Sequence, residues 1–173
     1  MFSKKYIRKV TIYFSLCIFA FSASAETHQM VFSTNLAYIG LTALSLSGGG
    51  RLIVVPIENQ IGFSKHFSVN PSITTLYFGT TASQASGILV LGECGIGYHT
   101  HENELSGWCF SIEPGLVITL DTLKLAYSLS GEAGYQWILN NGLFVGLAVG
   151  GKSIWMDGNL LIPDLKLRIG YGF

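Results

Sequence analysis

Four carboxylates, Glu58, Glu93, Glu113 and Glu132, and two cations near the C-terminal end, Lys166 and Arg168, are the residues whose types and placement point to shared chemistry. All six fall on the face of alternating segments that is otherwise held mostly by Gly, Ala and Ser. A carboxylate taken out of water needs a cation or several hydrogen-bond donors, so these side chains are expected to meet in one interior. Such a cluster either fills a lumen as a fixed ionic network or rearranges to pass ions. An interior only wide enough for side chains favours the fixed network.

Two other constellations are weaker. His99-Thr100-His101-Glu102 puts two imidazoles at i and i+2, which share one side of a strand, as two metal ligands would. No further Cys or His stands at ligand spacing, and the segment reads as a solvent-facing turn, so neither a metal nor any other cofactor is expected. Ser106, His99, His101 and Glu104 supply the residue types of a hydrolase, and Ser68 follows His66 by two positions in a hairpin. No catalytic residues are assigned from them.

The elements that must position these residues are strands. In the last segment Leu165, Leu167, Ile169, Tyr171 and Phe173 fall on one face, and Asp164, Lys166, Arg168, Gly170 and Gly172 on the other. Asn140-Asn141-Gly142 marks a tight hairpin, because Asn and Gly tolerate positive φ. The strand after it shows Leu143, Val145, Leu147 and Val149. The one before it shows Leu125, Tyr127, Leu129, Ala133, Tyr135 and Trp137. A turn near Lys65-His66 joins a strand showing Ile53, Val55, Ile57, Ile61 and Phe63 to one showing Phe67, Val69, Ile73 and Tyr77. With strands near 87–98 and 107–119 and a first strand near 28–40, the count is eight. Ten strands would require residues 41–50 to pair. Short loops are expected near 41–50, 79–86, 119–122 and 151–159.

Composition sets the class. Lys4, Lys5, Arg8 and Lys9 precede an apolar run from Val10 to Phe21, and Ala23-Ser24-Ala25 offers a small-residue cleavage site. Residues 1–25 therefore read as a cleaved secretory signal, and 26–173 as the mature domain. The run is too short for a spanning helix, and the bulky Leu16 before Cys17 argues against lipoprotein processing. The signal holds four of the ten basic residues and none of the ten acidic ones, so the mature part is mildly acidic. That balance excludes a basic nucleic-acid footprint. The mature part is also charge-poor, while the whole chain is 49% hydrophobic. An exported, apolar chain without helical spans has one main solution in lipid, a closed barrel that pairs every backbone group internally. The expected fold is all-β: an antiparallel up-and-down transmembrane β-barrel of eight strands.

Lipid is expected outside the barrel. The minor face is small and polar, as a narrow lumen requires, and a soluble barrel would need more charge on its exterior. Aromatics cluster beside turns: Phe63, Phe67, Tyr98, Trp108, Tyr135 and Trp137 form an expected interfacial girdle, with Tyr171 and Phe173 near them. Tyr38, Tyr77, Tyr127 and Trp155 lie toward the opposite strand ends.

The ending Leu165-Lys166-Leu167-Arg168-Ile169-Gly170-Tyr171-Gly172-Phe173 resembles the terminal strand of small bacterial outer-membrane proteins such as OmpX, OmpW and the OmpA barrel domain. The resemblance implies an outer-membrane location and a non-enzymatic role, structural or in surface contact, with a small ion- or solute-conducting pore as the alternative. It also implies that Leu167, Ile169, Tyr171 and Phe173 serve as an assembly signal. The implied partners are the barrel-assembly machinery and periplasmic chaperones during biogenesis, and membrane lipid and lipopolysaccharide afterwards. Outer-membrane lipid A deacylases, a further alternative, carry a His-x-Ser core. Here the pairs at His99-Thr100-His101 and His101-Glu102-Asn103 do not match; Ser68 does stand two after His66, but both fall in an expected periplasmic hairpin, away from the outer leaflet.

Alternation places Cys94 outward and Cys109 inward, which forbids a disulfide between them despite the oxidising compartment. Both are expected to stay reduced and buried. Alkylation of the unfolded protein should give the same mass with and without prior reduction; a mass difference would show that the two sulfurs had been joined.

Overall fold

The computed structural model describes residues 29–173 except 49, 80–85, 102–104 and 157. The expected signal at 1–25, as well as Glu102 and Glu104, lies outside the described residues. Eight strands form a closed antiparallel barrel in sequence order: β1 (Met30–Asn35), β2 (Arg51–Gly62), β3 (Phe67–Gly79), β4 (Ser86–His99), β5 (Gly107–Thr119), β6 (Lys124–Ile138), β7 (Leu143–Trp155) and β8 (Asn159–Gly172). One helix, α1 (Leu36–Ser47), interrupts the series between β1 and β2. The up-and-down path puts the turns at 63–66, 100–106 and 139–142 on one rim, called here the first, with both ends of the barrel sequence. The other connections form the second rim.

Closure is made where β1 meets β8. Val31 stands opposite Gly172 and Asn35 opposite Arg168. Beyond this ladder Met30 and Phe173 exchange both backbone bonds, at 2.8 and 2.9 Å. The alternation read in the sequence becomes an inside and an outside. In β8 Leu165, Leu167, Ile169 and Tyr171 are exposed, whereas Asp164, Lys166 and Arg168 are buried. Gly142 takes φ +83° in the Asn140-Asn141-Gly142 turn, and its N–H bonds Leu139 O at 2.8 Å.

The first strand departs from expectation. A continuous strand over 28–40 and a loop over 41–50 are replaced by a strand that stops at Asn35 and a helix that begins at Leu36. Period-2 alternation ends there, and the run Leu36-Ala37-Tyr38-Ile39-Gly40-Leu41 is apolar at nearly every position. Leu and Ala favour helix, and Asn35 is a good N-cap whose Oδ1 accepts from Ala37 N at 3.0 Å. At the far end Gly48 N–H closes the last turn on Leu44 O at 3.1 Å.

Two smaller departures concern burial, at Ile61 and at Cys94. Ile61, expected outward and exposed, is buried, flanked by Met30 on β1 and Val69 on β3. The thiols of Cys94 and Cys109 are not joined: Cys94 stands opposite Pro71, and Cys109 opposite His99. Cys109 is buried, but Cys94 only partly.

Asn35 does more than cap the helix. The same Oδ1 accepts from Leu167 N at 3.1 Å, and Nδ2 donates to Leu165 O at 3.4 Å, so one side chain continues the β8 ladder where β1 stops. The residue is fully buried. Asn35→Ala should destabilise the barrel by about 2–4 kcal/mol, combining a lost cap with an unpaired backbone donor. A fall in urea midpoint at unchanged slope would show it; an unchanged midpoint would remove this role.

Candidate functional site

The lumen gathers the six charged residues singled out in the sequence: Glu58, Glu113, Glu132, Lys166 and Arg168 share one ion-pair network, and Glu93 joins it through the Ser130 hydroxyl. Arg168 on β8 donates from Nε to Glu58 Oε2 on β2 and from Nη2 to Glu132 Oε1 on β6, bridging the barrel interior. Lys166 Nζ lies 3.0 Å from Glu113 Oε2 and 2.7 Å from Glu132 Oε2. Ser111 Oγ donates to Glu113 Oε1 at 3.0 Å, and Ser130 Oγ to Glu93 Oε1 at 2.8 Å. Arg168 is 2% exposed and Glu113 2%, so these charges are neutralised by each other and not by solvent.

A seventh charge was missed. Lys152, assigned by sequence to a surface loop over 151–159, lies on β7, which runs on to Trp155. Its Nζ sits 2.8 Å from Glu93 Oε2 inside the barrel. The signal was present: Ala148, Gly150 and Lys152 continue the small inward face, but two successive glycines, Gly150-Gly151, read as a turn. Asp164 is also buried, and its Oδ1 accepts from Tyr38 Oη at 2.8 Å. Tyr38 therefore turns toward the lumen from α1 and does not belong with the aromatics at the strand ends.

The carboxylates fit because adjacent strands give way to them. A Cβ at Gly95 on β4 would stand 2.3 Å from Glu113 Cγ, and one at Gly115 on β5 would stand 2.6 Å from Glu93 Cγ. Each glycine makes room for the acid stem of the neighbouring strand.

Nearer the first rim the lumen changes character. His99, expected in a solvent-facing turn, ends β4 with its ring buried. Its Nε2 lies 2.8 Å from Ser68 Oγ, Ser68 Oγ donates to Asn70 Oδ1 at 2.7 Å, and Gln136 Nε2 meets His99 Nδ1 at 3.3 Å. The chain has one polarity: Gln136 donates to Nδ1, Nε2–H donates to Ser68, and Ser68 donates onward. In this polarity the imidazole holds its proton toward the serine. His66 Nδ1 lies 2.9 Å from His99 O, and His101 is exposed at the rim. Among the described residues no group of three His, Cys, Asp or Glu side chains could hold a metal ion. Beside this chain Val31, Leu105 and Phe144 form a buried apolar cluster.

The aromatic girdle residues gather on the outside of the same rim. Phe63 meets Phe67 at 6.3 Å between ring centroids, and Phe67 meets Tyr98 at 5.6 Å. Trp108 meets Tyr135 edge-on at 5.4 Å, and Tyr135 meets Trp137 at 4.7 Å. Phe173 lies between Tyr171 and Phe32, tilted against each, at 6.1 and 5.8 Å between ring centroids. Leu167, Ile169, Tyr171 and Phe173 are all exposed on the outer face.

Arg168→Leu should cost about 3–5 kcal/mol, because Glu58 is left buried without its cation and Glu132 keeps only Lys166. Adding Glu58→Gln and Glu132→Gln should recover much of that loss. Urea unfolding of the three proteins checks it, and a single variant as stable as the wild type would contradict the assigned network.

No protein-family model, curated protein or solved structure matches this chain.

Proposed function

We propose that the chain is an integral outer-membrane β-barrel with a structural or surface-contact role, exported by a signal at residues 1–25 and closed to free flow through its lumen. The observation that carries this reading is the distribution of charge. Among the described residues, Glu58, Glu93, Glu113, Glu132, Lys152, Asp164, Lys166 and Arg168 are enclosed by the barrel. The remaining Asp, Glu, Lys and Arg residues, Arg51, Lys65, Asp121 and Lys124, stand in turns or at the first residue of a strand.

The outer wall between the rims is consequently uncharged and apolar. Ile57, Ile73, Ile96, Ile112, Val149 and Leu165 all exceed half exposure on its middle. An apolar band on that scale is costly in water and favourable in hydrocarbon. A soluble ligand-carrying barrel would have the opposite polarity, with a charged exterior. The ring of Phe63, Phe67, Tyr98, Trp108, Tyr135 and Trp137 suits a headgroup boundary on the first rim. Leu167, Ile169, Tyr171 and Phe173, on the closing strand, then face lipid and would be the surface read by barrel-assembly machinery.

The interior supports a closed state over a conducting one. A permeating ion would have to part Arg168 from two carboxylates and then pass the packed Val31–Leu105–Phe144 cluster. Each separation leaves a buried charge uncompensated.

Two measurements test this reading. The processed protein should fractionate with the outer membrane and migrate differently on gels before and after heating; recovery as a soluble periplasmic protein would overturn the membrane assignment. In planar bilayers the refolded protein should give no discrete current steps. Steps that change on neutralising Glu132 or Arg168 would replace the closed-lumen role with a pore.

A further inference from the structure

Toward the second rim the lumen is neither charged nor filled. A cavity of about 570 Å³ lies above the ionic network, walled largely by Leu52, Val54, Leu76, Leu89, Leu91 and Ile154. Polar side chains, Tyr38, Lys152 and Asp164, stand at its inner end, where Lys152 is held by Glu93 and Asp164 by Tyr38. The cavity is thus blind toward the first rim. An apolar space of this size excludes ions and hydrates poorly.

Its side wall is incomplete. Because β1 ends at Asn35, the second-rim halves of β2 and β8 have no strand between them, and α1 occupies the gap. The helix is stitched to β2. Thr42 Oγ1 accepts from Val54 N at 2.9 Å, Ser45 Oγ accepts from Leu52 N at 3.0 Å, and Thr34 Oγ1, just before the helix, donates to Pro56 O at 2.8 Å. Toward β8 the side-chain bonds are those of Asn35 at Leu165 and Leu167 and of Tyr38 at Asp164, all at the base. Above them β8 carries Pro163, which has no N–H to offer. Residues 159–163 of β8 are exposed at every position, on both faces. Leu160 and Ile162 line the cavity and yet are 58% and 38% exposed, and Leu41, facing them from α1, is 49% exposed. The apolar interior therefore continues through the α1–β8 seam into the apolar outer wall.

We propose that this cavity binds one hydrocarbon chain of a bilayer lipid, admitted sideways between α1 and the second-rim half of β8. The inference rests on the membrane reading above. The occupant follows from three features: an apolar lining admits a hydrocarbon tail and not an ion, the blind floor rules out passage of a solute, and the opening faces the region where lipid tails lie. The headgroup stays outside, at the seam.

The test uses the full mature protein in phosphatidylcholine vesicles doped with a phosphatidylcholine that carries a diazirine on one acyl chain. After photolysis, adducts are mapped by peptide mass spectrometry. Adducts on the outer residues Ile57 and Leu147 report only that the barrel sits in the bilayer. Adducts on the inward Leu89, Leu91 and Ile154 report the cavity, and both sets are expected. Leu91→Trp, or Leu76→Trp should the first variant not fold, fills the space and should abolish inner labelling at Leu89 and Ile154 while outer labelling persists. Outer labelling alone in the wild type would overturn the cavity proposal and leave the membrane reading intact. Inner labelling unaffected by either folded filling variant would overturn it too. Absence of both sets would defeat the membrane reading itself.

Discussion

A closed sheet must find a hydrogen-bond partner for every backbone group along its seam, and this chain has only six residues of β1 with which to do it. The shortfall shapes the whole molecule. Where β1 stops, Asn35 continues the pairing of β8 with its own amide, and the hydroxyls of Thr42 and Ser45 take the place of a strand along β2. A helix is compatible with that position because its own backbone is satisfied internally, leaving side chains to serve the exposed edges. The arrangement is asymmetric. The β2 edge is bonded along its length, whereas the β8 edge above Asp164 is left exposed, with no side-chain bond from the helix among the described residues.

The interior is stratified as a consequence of size and sequence together. Eight strands enclose room for side chains and little else, so the middle is occupied by long charged groups whose stems cross over glycines. Four glutamates against Lys152, Lys166 and Arg168 form a costly arrangement in isolation, since desolvation of buried ions offsets much of their attraction. Its merit here is geometric. Arg168 reaches both Glu58 and Glu132, and Lys166 both Glu113 and Glu132, so side chains from β2, β5, β6 and β8 are fixed across the barrel as well as along it. The first-rim end is closed by the His99–Ser68–Asn70 chain and by Phe144. The second-rim end, lacking such large side chains, keeps its apolar cavity.

Burial alone would misjudge this protein. By accessible surface the polar residues outnumber the apolar ones among those it encloses, and many large apolar side chains are exposed, the inverse of a water-soluble domain. The apolar surface is continuous around the wall, and aromatic rings collect where that surface meets the first-rim turns. The same inversion explains why Lys152, Lys166 and Arg168, half of the basic residues after the expected signal, are spent on the interior.

Alternation, turn residues and charge scarcity were enough to read off eight strands, the inward direction of Glu58, Glu93, Glu113, Glu132, Lys166 and Arg168, and the outward direction of the terminal aromatic strand. Those features are local: a period of two assigns a side to each residue without knowledge of its neighbours. The helix at 36–47, the inward turn of Tyr38, the burial of His99 beside Ser68 and the capture of Lys152 by Glu93 were not legible in this way. Each depends on what lies across the barrel. Leu36 to Ser47 carries a helical composition, but the gap it fills is created by the length difference between β1 and its two neighbours. His99 and Ser68 are brought together by the register of β3 against β4, and Lys152 meets Glu93 only because the sheet closes. The sequence by itself determined which residues share a face; the tertiary structure decided which of them touch, because closure and register are properties of all eight strands at once.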